Sequence, residues 1–115
     1  MSSEHAHTTI LDALALLALP ALGRLSDQQV RGITCVWGGE SLTTGTAVNL
    51  GVRQTQRAGE AVSWYPRACR RCVHDTAYAV LLGHAPGCGL CETAQTLDEC
   101  ETGVTLRHLM REYRR

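Results

Sequence analysis

Residues 66–91 read PRACRRCVHDTAYAVLLGHAPGCGLC, and the reading of this stretch decides the fold. It carries two C-x2-C pairs, Cys69/Cys72 and Cys88/Cys91. A C-x2-C turn brings two sulfurs to one side of the chain, within ~4 Å of each other, which supplies half of a tetrahedral zinc centre. The fifteen residues between Cys72 and Cys88 fit a zinc spacing in which both pairs share one ion. The residues in between argue against sharing. Val73, Ala77, Val80 and Leu81 fall on one face of a helix over 73 to about 82. Such a helix carries the chain ~15 Å away from Cys72. Residues 83–87, fully extended, return only ~17–18 Å, with nothing left for the turn.

A shared site therefore requires a short helix, and the preferred reading divides the ligands into two sets. His84, Cys88, Cys91 and Cys100 form H-x3-C-x2-C-x8-C with no long helix between them. Three thiolates and one imidazole make a complete zinc centre. Cys35, Cys69 and Cys72 remain as an incomplete set, its fourth position open or filled by His5, His7, His74, Glu40 or water. One zinc ion is expected, and the incomplete set allows a second.

Composition suits this reading. The chain has 115 residues, 44% of them apolar, with six Cys and five aromatics. A chain this short builds a modest core and gains from a metal staple. All eleven basic residues are Arg, a usage that suits a GC-rich genome such as an actinobacterial one. The apolar run from Ile10 to Leu22 is too short to cross ~30 Å of hydrocarbon as a helix, and it contains Asp12 and Pro20. Met1 to Thr9 has no Arg or Lys and carries Glu4, so a secretory n-region is missing. The expected location is cytoplasmic, without membrane contact and with reduced thiols that favour metal over disulfide.

The expected elements follow. Thr8 or Thr9 caps a helix to about Leu19, with Ile10, Leu14 and Leu17 as its stripe; its wide apolar arc also allows a homodimer. Ser26-Asp27-Gln28-Gln29 is a capping box whose helix stops at Gly32. Ile33 to Trp37 reads as a brief strand, Thr46 to Arg53 as a strand burying Val48, Leu50 and Val52, Gln54 to Gly59 as a polar loop, and Ala61 to Tyr65 as the returning strand. A last helix opens at Thr102 or Gly103 with Leu106, Leu109, Met110 and Tyr113 on its apolar face. The fold class is a small zinc-stapled α+β domain over 1–115, an antiparallel β-hairpin with zinc knuckles plus three or four helices. Its parts are an N-terminal helix in 1–25, a treble-clef-like part in 30–84, and the second zinc site with the C-terminal helix in 84–115.

The stretches CVWGGESL (35–42), AVNLGVR (47–53), WYPRACRRC (64–72), HAPGCGLC (84–91) and CETG (100–103) carry a resemblance. Over roughly residues 30–115 the chain resembles small actinobacterial treble-clef-like zinc-finger proteins of unassigned function. The resemblance implies a turn on a strand, a hairpin, and a C-x2-C opening a helix. In that family the first turn is a full C-x2-C, and here Gly38 stands where its second Cys would be. Val36-Trp37-Gly38-Gly39 is also similar to the turn of WhiB-like iron–sulfur regulators, but those place clustered Cys before the turn and here none precedes Cys35. An HNH-type nuclease needs a His pair at the hairpin and another on the helix, and only His74-Asp75 offers anything similar.

Formal net charge is zero, but it is unevenly distributed. Residues 41–71 carry five Arg against Glu60, residues 72–101 carry five acids and no Arg, and residues 102–115 carry four Arg against Glu112. Arg67, Arg70 and Arg71 flank the first C-x2-C, and Arg107 and Arg111 share a helix face. These five are the candidate nucleic-acid contacts. The balanced total favours a protein partner first and nucleic acid second. No Ser/His/Asp order, phosphate loop or carboxylate pair suggests an enzyme. The expected function is a non-enzymatic, zinc-stabilised binding or regulatory module. The alternative is a thiol redox or metal-sensing protein using Cys35, Cys69 and Cys72, with Arg70 and Arg71 expected to lower the thiol pKa values.

Overall fold

The computed structural model describes residues 13–114. Most of the expected N-terminal helix, with His5 and His7, lies outside the described residues. Of its end, Ala13 and Leu14 are helical and Leu17 lies in a bend; all three are buried, while Leu16 is exposed. The homodimer expected through this helix therefore falls largely outside what is described.

The fold is α+β, with helices α1 (Asp27–Val30), α2 (Arg70–His84) and α3 (Glu101–Glu112) and strands β1 (Ala47–Asn49), β2 (Arg53–Arg57), β3 (Glu60–Trp64) and β4 (Arg67–Cys69). The chain divides into two compact units. One is Leu19–Cys72; the other is Met1–Ala18 with Val73–Arg115.

The Leu19–Cys72 unit is built from two antiparallel pairs. β1 pairs with β4 in the register Ala47↔Cys69, Val48↔Ala68 and Asn49↔Arg67. β2 pairs with β3, from Arg53↔Trp64 to Arg57↔Glu60. Its core is Cys35, Val36, Val48, Leu50, Trp64 and Ala68. Ser26 and Gln29 form both halves of the expected capping box at α1.

The strands differ from their expected bounds for local reasons. Gly51 takes a φ of 86°, a backbone that ends β1 and leaves Val52 exposed while Val48 and Leu50 are buried. The polar residues read as a loop are β2. Ala58 and Gly59, both at positive φ, form the two-residue turn that suits the strand twist. Trp64 then anchors the hairpin, its Nε1 donating to Thr55 Oγ1 at 3.1 Å. Ile33 to Trp37 is not a strand: a single bridge, Thr34↔Ser41, closes a tight turn over residues 36–38.

The second unit packs Val73 and Ala77 of α2, Leu106 and Leu109 of α3, and Tyr113 at the α3 C-cap into its core. Its connecting segment is a run of short 3-10 turns, Ala85–Gly87, Gly89–Glu92 and Leu97–Glu99. Helix α2 is longer at both ends than its apolar pattern suggests, so its 15 residues cover about 22 Å at the α-helical rise. The two C-x2-C pairs thus belong to different clusters.

Candidate metal centres

Two groups of four donors converge: His84, Cys88, Cys91 and Cys100 in one, and Cys35, Glu40, Cys69 and Cys72 in the other. Within each group all four ligand atoms lie within 4.8 Å of one another. Metal–sulfur bonds near 2.3 Å place tetrahedral sulfurs about 3.8 Å apart. Both groups match the size of a zinc tetrahedron, and either could hold a metal ion.

The first centre is assembled by chain ends. His84 closes α2, Cys88 joins two 3-10 turns and Cys91 lies in the second, and Cys100 is the N-cap of α3. His84 Nε2 stands 3.2 Å from Cys100 Sγ, and the sulfurs of Cys88 and Cys100 are 3.6 Å apart. Cys100 caps α3 as a serine would, its sulfur accepting from the Gly103 N–H at 3.3 Å. That places the sulfur at the positive end of a 12-residue helix. The Cys88 thiol is lowered to about 7, first because the Cys91 backbone N–H donates to it. Desolvation pushes Cys91 up to about 11.

Gly103 is a functional position that sequence reading missed. A β-carbon there would lie 3.0 Å from Cys91 Sγ and 3.6 Å from Cys100 Sγ. A side chain at residue 103 would press on the sulfurs, which would have to give by a few tenths of an ångström. Arg107 braces the same loop, donating to Leu97 O at 3.2 Å and pairing with Asp98 at 3.7 Å. The sequence reading assigned Arg107 to phosphate; the structure ties it to the segment that carries the ligands.

The second centre is made by two turns of the same design. Gly38 N–H donates to Cys35 Sγ, and Cys72 N–H donates to Cys69 Sγ, each at 3.4 Å. In the second turn the third residue after Cys is another Cys; in the first it is Gly38. A β-carbon on Gly38 would run into Glu40 Oε1. The Glu40 carboxylate thus occupies the side-chain space of residue 38, and its Oε2 accepts from Cys69 Sγ at 2.9 Å and Cys72 Sγ at 4.0 Å. Gly39, at a φ of 78°, bends the chain so that Cys35 N–H reaches Glu40 O at 2.8 Å. Gln29 supports the turn, its Nε2 donating to Cys35 O at 3.1 Å and Val36 O at 3.2 Å. Val36 N–H donates to Arg67 O at 2.9 Å, which ties the turn to β4.

Of the fourth donors weighed from sequence, Glu40 is the one brought to this cluster among the described residues, which do not include His5 and His7. His74 instead pairs with Asp75, its Nδ1 3.0 Å from Oδ1. The expected lowering of thiol pKa by Arg70 and Arg71 is not what the site shows. Cys69 and Cys72 are both raised, first by desolvation and then by the acidic and thiol groups around them. The Glu40 carboxyl is lowered, first because Cys69 donates to it.

The Arg candidates fall in both units. Arg67 and Arg70 are exposed on β4 and at the start of α2. The charge of Arg71 is felt at Glu40. Arg107 and Arg111 line a shallow groove with His74, Met110 and Arg114. Among the described residues, no helix is long and apolar enough to cross a membrane. Comparison with protein-family models, curated proteins and solved structures finds no match to this chain.

Proposed function

We propose that the protein is a non-catalytic, two-zinc binding module whose metal centres hold its surfaces in shape for a partner. One observation carries this reading: eight donors fall into two groups of four, each small enough for one tetrahedral ion. Three thiolates with an imidazole, or with a carboxylate, suit zinc better than harder or octahedral ions. With zinc bound the centres carry net charges of about −1 and −2, so the loaded protein is more acidic than its formal balance. That favours a protein partner over nucleic acid. Tyr78 and Leu82, one turn apart on α2, are 47% and 55% exposed and offer an apolar contact. A regulatory role in the cytoplasm and kinship with the actinobacterial treble-clef-like proteins belong to the same proposal.

The test is metal analysis by native mass spectrometry of protein purified without added metal. Two zinc ions per chain are expected, and Cys88→Ser should lose one. Structural zinc binding is also folding energy, so that variant should lose several kcal/mol. A Cys88→Ser protein that keeps two zinc ions and its melting temperature would overturn the assignment.

A groove lined by His74, Arg107, Met110, Arg111 and Arg114 favours the second reading, a nucleic-acid contact. It predicts binding of mixed DNA or RNA that weakens by about 0.9 log unit per log unit of salt for each phosphate neutralised. No retardation at low salt leaves the protein partner.

A further inference from the structure

The two centres differ in one donor. At the first, the four donors are three sulfurs and a ring nitrogen; at the second, one corner is the end of a flexible acidic side chain. The backbone of Glu40 is fixed, because Cys35 N–H holds its carbonyl and the Thr34↔Ser41 bridge closes the turn beside it. Its side chain is not fixed in the same way. It is exposed, and its side-chain partners are the thiols of the same cluster, Cys69 closest, with its own backbone N–H. The opposite corner, Cys35, is completely buried. The centre thus presents its carboxylate corner to solvent and its sulfur corner to the core.

We propose that Glu40 is an exchangeable arm: it completes the second zinc centre and gives up its place to an exogenous thiolate. The inference rests on the reading that this cluster holds zinc. Three thiolates make a soft site, and a fourth sulfur is a better match to it than a carboxylate oxygen. Gly38 leaves that corner open, since the atoms nearest its missing β-carbon are those of the Glu40 carboxylate. In the exchange the incoming thiol forms a sulfur–zinc bond and the bond from zinc to the Glu40 oxygen breaks. The thiol proton passes to the freed carboxylate and from there to water. No electron changes hands, and no co-reactant is needed. Glu40 can swing outward without moving the backbone that carries Cys35. A thiol-bearing donor or acceptor can then pass zinc to or from this centre, while the imidazole-capped centre keeps its ion.

The experiment follows zinc release from the two-zinc protein to a chromogenic chelator, with 2-mercaptoethanol as the probe thiol. Zinc content is measured first. A chain that takes up only one zinc, lost in Cys88→Ser, overturns the reading of the second cluster and this inference with it. With two zinc ions bound, one should leave at least about tenfold faster than the other, at a rate that falls as monothiol concentration rises, because the added thiolate holds the ion better than the carboxylate it replaces. Cys100→Ser should remove the slow phase and keep the thiol-dependent one. Glu40→Gln, which keeps the shape but replaces the charged donor with a poor one, should speed the fast phase by about tenfold without thiol and let lower thiol concentrations slow it. Two zinc ions that leave at one rate, indifferent to monothiol and to Glu40→Gln, would overturn the exchangeable arm while leaving the two-zinc reading intact.

Discussion

Gly103 and Cys91 stand so close that a β-carbon on residue 103 would lie 3.0 Å from the Cys91 sulfur. By helix propensity alone, Gly103→Ala should stabilise α3 by about 1 kcal/mol. Here the added methyl must push on a sulfur that shares a cluster with Cys100, and overpacking of this kind costs about 1–3 kcal/mol. The expected outcome is weaker zinc at the first centre with the second unaffected. Competition against a graded series of chelators reads this directly. Tighter zinc binding in Gly103→Ala would show that the sulfurs have room to move.

Gly38 should respond to two substitutions in opposite ways. Its φ is not in the left-handed region, so a side chain there meets Glu40 rather than backbone strain. Gly38→Ala displaces the carboxylate and offers nothing in return, so the second zinc should be held more weakly. Gly38→Cys displaces it and supplies sulfur, so the zinc count should stay at two while release of the labile ion slows. Metal stoichiometry and release kinetics of the two variants side by side make the check. A third zinc in Gly38→Cys, or equal effects of Ala and Cys, would contradict Glu40 as the fourth donor.

Acid should empty the two centres in a fixed order. Each coordinating thiol must give up its proton to bind zinc, so a raised thiol pKa makes proton competition stronger at a given pH. Burial raises Cys69 and Cys72 at the second centre, whereas Cys88 at the first is lowered to about 7. Cys91, raised to about 11, reduces the contrast but does not reverse it. The Glu40 carboxyl is lowered and stays charged until well into acid, so it does not begin the loss. As pH falls, the second centre should release first. Titration with desalting at each pH, assigned with Cys100→Ser, tests the order.

Gln29 couples a helix cap to a metal turn. Its Oε1 accepts from Ser26 N–H at 2.9 Å while its Nε2 reaches Cys35 O and Val36 O. Gln29→Ala removes both functions and should cost about 1–2 kcal/mol. The loosened Cys35 turn should also release zinc sooner from the second centre. Thermal unfolding and chelator release measure the two effects; destabilisation with unchanged release would confine Gln29 to capping.

Spacing along the chain made one donor cluster legible, because short local turns hold their sulfurs wherever they are packed. His84, Cys88, Cys91 and Cys100 are near in sequence, and the capping box at Ser26 is complete within four residues, so both were legible without a fold. The apolar stripes of α2 and α3 were legible for the same reason: helical periodicity is written in consecutive residues. Tertiary structure decided what depends on partners far along the chain. The polar run Arg53–Arg57 becomes a strand because Glu60–Trp64 pairs with it and Trp64 bonds Thr55, not through any apolar alternation of its own. Arg107 is drawn to Leu97 and Asp98, although its position on a helix face suggests a free cation. Glu40 was one of several candidates until the turn at Gly39 and the empty side-chain position at Gly38 set its carboxylate beside Cys69, 29 residues away. A side chain that reaches a distant cluster leaves no periodic trace in sequence, because its position depends on backbone packing and on which neighbour has no side chain.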